Sequence, residues 1–195
     1  GQIPAQIAAR GGAELGPKRV GPYEVLGELG RGGMGAVYRA RHTQTGAVCA
    51  LKTLHQGGDE EDLQRFRREA DLAWQLDHPG IVRVLDVGSD GPVRYLGLEL
   101  LEGGSLQARL SRQGPLPIPE AIRVGLSLAD ALAHAHAAGV LHRDLKPANV
   151  IFDSEGRAKL ADFGLAQGPS GHSLTTTGSI LGTPAYMAPE QARDS

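Results

Sequence analysis

The chain has 195 residues, 41% of them hydrophobic and 22% charged, enough apolar material for a packed core and too much for wholesale disorder. A net charge of −2 gives no sign, on charge alone, of a nucleic-acid or membrane-surface protein. No apolar run is long enough for a membrane span or a signal peptide, and the single cysteine, Cys49, permits no internal disulfide and fits a reducing compartment.

Residues 1–20 are rich in Ala, Gly and Gln without a sustained period and read as a loose leader. The chain opens on Gly1 rather than Met, as a fragment or a processed chain would. From Tyr23 the pattern alternates. YEVLGELG and AVYRARH read as a hairpin with glycines between its strands, and VCALKTL as a third strand. Val48, Ala50, Lys52 and Leu54 share one face of that strand, which puts Lys52 among apolar neighbours.

A helix is expected next, capped by Asp59, with Glu60, Glu61 and Asp62 at the positive end of its dipole. Leu63, Phe66, Ala70, Ala73 and Trp74 recur at helical spacing and are expected in the core. Glu69 falls on the same face. It either pairs with a cation there or reaches water from the stripe's edge, since an unpaired buried carboxylate is costly. IVRVLDVG and VRYLGLEL read as two more strands, and the Gly-Gly of ELLEGGSL marks a boundary near residue 102. A long helix follows, started by prolines and stopped at Gly139. NVIF and AKLAD then form a strand pair across the turn DSEG. Strands with one helix, then a mostly helical part, is an α+β order.

Two stretches carry chemistry. GRGGMGAV, residues 30–37, fits G-x-G-x-x-G-x-V. Glycines there let backbone N–H groups approach phosphate oxygens, although a plain hairpin turn would use glycines too. A dinucleotide-binding fold would continue as a helix, whereas AVYRA reads as a strand. HRDLKPAN, residues 142–149, crowds bases, an acid, an ammonium and an amide around one proline, as a polar loop or a catalytic loop would. His134 and His136 lie about 200° apart around a helix and do not share a metal-binding face.

The glycine loop, strand Lys52, helix Glu69, HRDLKPAN, DFG at 162–164 and APE at 188–190 occur in that order. The set resembles the eukaryotic-like protein kinases, and GRGGMGAVYRARH and GTPAYMAPEQ are most similar to bacterial Ser/Thr members. The resemblance runs from Tyr23 to Glu190. It implies an α+β, two-lobed fold after a flexible leader over 1–22. Residues 23–101 would form an N-lobe with a five-stranded antiparallel sheet and one key helix. Residues 102–195 would form part of a mainly helical C-lobe.

The resemblance also implies ATP and Mg²⁺, protein substrates bearing Ser or Thr, and a cytoplasmic setting. Asp144 would accept the substrate hydroxyl's proton, Lys146 would contact the γ-phosphate, and Lys52, paired with Glu69, would hold the α/β-phosphates. Asn149 and Asp162 would bind the metal, while His142 would pack on Phe163. Gly30, Arg31, Gly32, Gly33, Met34 and Gly35 would cover the phosphates. Adenine would bond the backbone of Glu99 and Leu101, between Leu29, Val37, Ala50 and Ile151, with Leu98 behind it and Glu102 near the ribose.

Arg143 beside Asp144 resembles kinases controlled by loop phosphorylation. Thr175 and Thr177 match the paired threonines of bacterial members, with Thr176 between them, and self-association would serve autophosphorylation. Thr183 matches the Thr that meets the catalytic Asp and Lys. The chain ends five residues after Glu190, where a complete kinase continues with several helices. An ATP-binding or interaction fragment without turnover is therefore the alternative expectation, with the apolar face of the 119–138 helix partly exposed.

Overall fold

The computed structural model of the chain describes residues 18–32, 35–54, 70–71, 73–163 and 184–189. Six strands form one antiparallel sheet: β1 (Arg19–Val20), β2 (Tyr23–Gly32), β3 (Gly35–His42), β4 (Val48–Leu54), β5 (Val84–Asp90) and β6 (Val93–Leu98), in the order β1-β2-β3-β4-β6-β5. The sequence pattern gives five of these. The sixth is β1, inside the stretch read as leader, where Val20 pairs with Tyr23 and is buried. Two residues are too short to carry an alternation signal.

The pleat sorts β3 and β4 into two faces. Ala36, Tyr38 and Ala40 with Cys49 and Leu51 fill a core beside Tyr23 and Tyr95. Burial pushes the Cys49 thiol up to about 11, so it stays a small protonated strand residue. Val37, Ala50 and Lys52 occupy the opposite, partly buried face. Lys52 pairs with Val37 on one side and Leu96 on the other, and Ala50 with Leu98. Shifts in register within β2 bend the hairpin that holds the glycines. At Gly35, φ is +157° and an added Cβ would overlap the Thr53 carbonyl oxygen, so the close approach of β3 to β4 requires glycine there.

Of the helix expected from Asp59, only Ala70, Asp71, Ala73 and Trp74 lie within the described residues, and they are helical. Ala70 is buried against Val84 and Leu96. Trp74 is not in the core as expected: it is 54% exposed. The helix turns out at Gln75, and Leu76, just beyond it, takes the buried place instead.

The second part begins with α1 (Leu106–Gln113), whose first turn is capped by Ser105 Oγ accepting from the Ala108 N–H at 3.1 Å. The longer α2 (Ile118–Ala137) starts behind Pro117 and stops at Gly139, which takes φ +75°. Its inner stripe, Val124, Ala131 and Ala135, packs with the hairpin of β7 (Val150–Phe152) and β8 (Ala158–Leu160). Ile118, Ile122 and Leu126 recur every four residues on another face and are 77%, 57% and 67% exposed, matching the exposed apolar face expected of this helix. Two backbone bonds join β8 to the segment before β5: Leu160 N–H to Gly80 O and Val82 N–H to Leu160 O, both 2.8 Å.

Candidate active site

Strand β4 places Lys52 and the end of β8 places Asp162, and the two meet: Lys52 Nζ lies 2.7 Å from Asp162 Oδ1. Both are mostly shielded from water. Burial alone would raise the Asp162 carboxyl, but the Lys52 ammonium, by its charge and its hydrogen bond, holds it below the usual carboxylate range. Asp162 has φ +63° and Arg143 has φ +62°. Such backbone is uncommon for side chains with a Cβ, and here it occurs only at these two non-glycine positions among the described residues.

The loop after α2 is built on His142. Its Nε2 donates to the Ala161 carbonyl at 2.9 Å, its Nδ1 accepts from the Asp144 N–H at 3.3 Å, and its ring lies 4.7 Å from that of Phe163. The imidazole thus ties the loop to the strand end carrying Asp162, as the expected packing on Phe163 requires. Desolvation lowers its pKa despite the Ala161 hydrogen bond and the nearby Asp162 and Asp144 charges. A base depressed in the fold leaves stability intact above its unfolded pKa near 6.5 and erodes it as pH falls through the lower folded value. His142 is therefore expected to add no pH dependence to thermal stability from pH 8 to 7 and to subtract from it below about pH 6.5. A His142→Gln variant should lose that part of the slope in melting curves taken across the same range.

Asp144, Lys146 and Asn149 converge. Lys146 Nζ lies 2.7 Å from Asp144 Oδ2 and the residue is 7% exposed. Asn149 Nδ2 donates to the same oxygen at 3.1 Å and to the Asp144 carbonyl at 2.8 Å. Among the described residues, Asp144 Oδ1 takes no hydrogen bond. A 3₁₀ turn over Pro147–Asn149 holds this geometry, and Ala161 N–H donates to Asn149 O at 2.9 Å. Asn149 is fully buried, yet its Oδ1 has no hydrogen-bond partner among the described residues. A buried orphan acceptor is expensive unless something external satisfies it.

Leu29, Val37, Ala50, Leu98, Leu101 and Ile151 are all partly buried. The Ser105–Ile151 bridge brings Ile151 beside the segment that leaves β6. Glu99 N–H is engaged by Arg83 O at 3.0 Å. The Glu99 carbonyl and both backbone groups of Leu101 make no hydrogen bond to other described residues, so they are available to a planar heterocycle. Glu102 is held 3.4 Å from Arg39, both well exposed, and Arg31 lies 2.6 Å from Glu28 at the glycine hairpin. Glu69, Gly33, Met34, Thr175, Thr176, Thr177, Thr183 and Glu190 lie outside the described residues.

Two partners were not legible in the sequence. Arg39 meets Glu102, and Lys159 meets Glu99 at 2.7 Å. Each joins residues about 60 apart in the chain, beyond the reach of any local pattern. The only available signal for Lys159 was its middle position in the buried strand AKL.

Comparison with known proteins gives a match to the protein kinase domain over residues 23–195. The chain is 39% identical over 181 residues to "Serine/threonine-protein kinase PrkC" of Bacillus subtilis, covering 92% of this chain and 28% of that protein. It is 42% identical over 174 residues to "Serine/threonine-protein kinase PknL" of Mycobacterium tuberculosis, covering 88% and 44%. It is 39% identical over 176 residues to "Probable serine/threonine-protein kinase PknB" of Lactococcus lactis, covering 89% and 28%. The chain thus spans less than half the length of each of these relatives. Because the match takes in both the sheet that bears Lys52 and the loop that bears Asp144, this chain belongs to the protein kinase family, alongside bacterial serine/threonine kinases.

Proposed function

We propose that the protein carrying this chain transfers the γ-phosphoryl group of ATP to serine and threonine hydroxyls of protein substrates. The observation that carries the reading is the convergence of Lys146 and Asn149 on Asp144 Oδ2, with Asn149 Oδ1 buried and without a hydrogen-bond partner among the described residues. Asp144 Oδ1 accepts the proton of the substrate hydroxyl as its oxygen bonds to the γ-phosphorus and the bond to ADP's terminal oxygen breaks. Lys146, held by Asp144, brings positive charge to the transferred group. Lys52 contributes charge at the α/β-phosphates, and Glu69 is its proposed second partner. Glu99 and Leu101 bind adenine through their backbone, and Glu102 serves the ribose.

Asn149 Oδ1 and the Asp162 carboxylate are hard oxygen donors in a shielded place, and they fit Mg²⁺. Bound there, the cation would neutralise phosphate charge. Among the described residues, no helix is long and apolar enough to cross a membrane. A cytoplasmic setting, and self-association for autophosphorylation, belong to the same proposal.

Control by phosphorylation of Thr175 and Thr177 completes it. A phosphate carries about −1.5 to −2 charge and three acceptor oxygens, suited to pairing with Arg143. Incubating the intact protein with Mg-ATP should place phosphate within residues 173–179 by mass spectrometry. Replacing both threonines with alanine should lower transfer to a Ser/Thr peptide severalfold. Phosphate found only elsewhere, or unchanged activity in the double variant, would refute this control.

A further inference from the structure

Glu99 is gripped from three sides. Its own N–H donates to Arg83 O at 3.0 Å, and its Oε1 accepts from Arg83 N–H at 2.8 Å. Lys159 Nζ donates to both carboxylate oxygens, at 2.7 and 2.9 Å. Lys159 and Glu99 side chains are only 13% and 21% exposed, so the pair is weakly screened by salt. Residues 80–83 run between the two partners. They bond β8 through Gly80 and Val82, and Glu99 through Arg83. Lys159–Glu99 closes this bracket, three residues ahead of Asp162.

We infer that Lys159 is a positioning residue for base selection. This rests on the ATP reading above. With its N–H and carboxylate both committed, Glu99 is held at the peptide before it and at its side chain, so its Cα cannot shift and the carbonyl that follows keeps its place and direction. A fixed carbonyl accepts from the 6-amino group of adenine and opposes the 6-oxo group of guanine, two acceptors face to face. Without Lys159 the carboxylate keeps only the Arg83 N–H, the hold on Glu99 weakens, and both the affinity for adenine and the bias against guanine fall. The triphosphate, bound by other residues, is untouched.

Titration calorimetry on the intact protein tests this with ATP, GTP and inorganic tripolyphosphate. Lys159→Met should weaken ATP about tenfold, the lower end of what a charge-assisted hydrogen bond is worth. The ATP-to-GTP affinity ratio should fall with it, tripolyphosphate binding should hold, and the kinetic loss should fall mainly on KM for ATP. Lys159→Arg should recover most of the ratio. If Lys159→Met does not fold, Glu99→Gln keeps an oxygen for Arg83 N–H, removes the charge, and should shift the ratio the same way. A folded Lys159→Met with wild-type ATP-to-GTP ratio overturns the inference alone. A wild-type protein that binds no ATP overturns the nucleotide reading beneath it.

Discussion

Asp144→Asn is expected to slow phosphoryl transfer by about 10²–10⁴, the scale of a lost general base, while ATP still binds. The carboxylate has a divided task. Its Oδ2 takes Lys146 at 2.7 Å and Asn149 at 3.1 Å, and in the proposed reaction its other oxygen, which takes no hydrogen bond from other described residues, accepts the substrate's proton. An amide satisfies only half of this. If its oxygen faces Lys146, its NH₂ faces the substrate hydroxyl and accepts no proton. If its NH₂ faces Lys146, two donors collide in a poorly hydrated spot. The loop itself should persist, because Asn149 also holds the Asp144 main-chain carbonyl at 2.8 Å and His142 pins the other side. Single-turnover transfer from labelled ATP, measured beside nucleotide binding, separates the two effects. Wild-type turnover in Asp144→Asn would remove Asp144 from its role.

The parts of this site that the sequence discloses are those written into contiguous motifs. HRDLKPAN holds Asp144, Lys146 and Asn149 within six residues of chain, with Asn149 in the 3₁₀ turn over Pro147–Asn149, so local chain geometry does most of the assembly. Alternation in VCALKTL correctly puts Lys52 on the face opposite Cys49 and Leu51. It cannot say what that face meets, and the meeting with Asp162 spans 110 residues. The same limit hides Lys159–Glu99 and Arg39–Glu102, whose ends lie on different strands and segments. Strand β1 escapes for the opposite reason, being too short for any period. Trp74 misleads because periodicity assumes the helix continues. At a helix end a large ring overshoots the last turn, and a leucine two residues on fills the core instead.

Lys52→Met is expected to cost both catalysis and stability, with a pH signature that distinguishes its cause. Methionine keeps the length and apolar stem of lysine, so packing on the β4 face changes little. What disappears is the ammonium 2.7 Å from Asp162. Breaking a shielded pair from one side typically costs about 3–5 kcal/mol, because the remaining charge is left uncompensated. For a chain of this size that is a fall in Tm on the order of 10 °C. In its proposed role at the phosphates, loss of this preorganised cation should lower transfer by roughly 10²–10³. In the wild type the Asp162 carboxyl is depressed. Its contribution is therefore present above the unfolded pKa near 4 and lost as pH falls through the lower folded value. In Lys52→Met the sign reverses, since burial alone raises the carboxyl. The ionised form then costs stability at neutral pH, and protonation relieves that cost as pH falls. The Tm gap between wild type and variant should be widest near pH 7 and narrow steadily toward pH 4. A gap that stays constant over that range would mean that lost packing, not an orphaned Asp162, destabilises the variant.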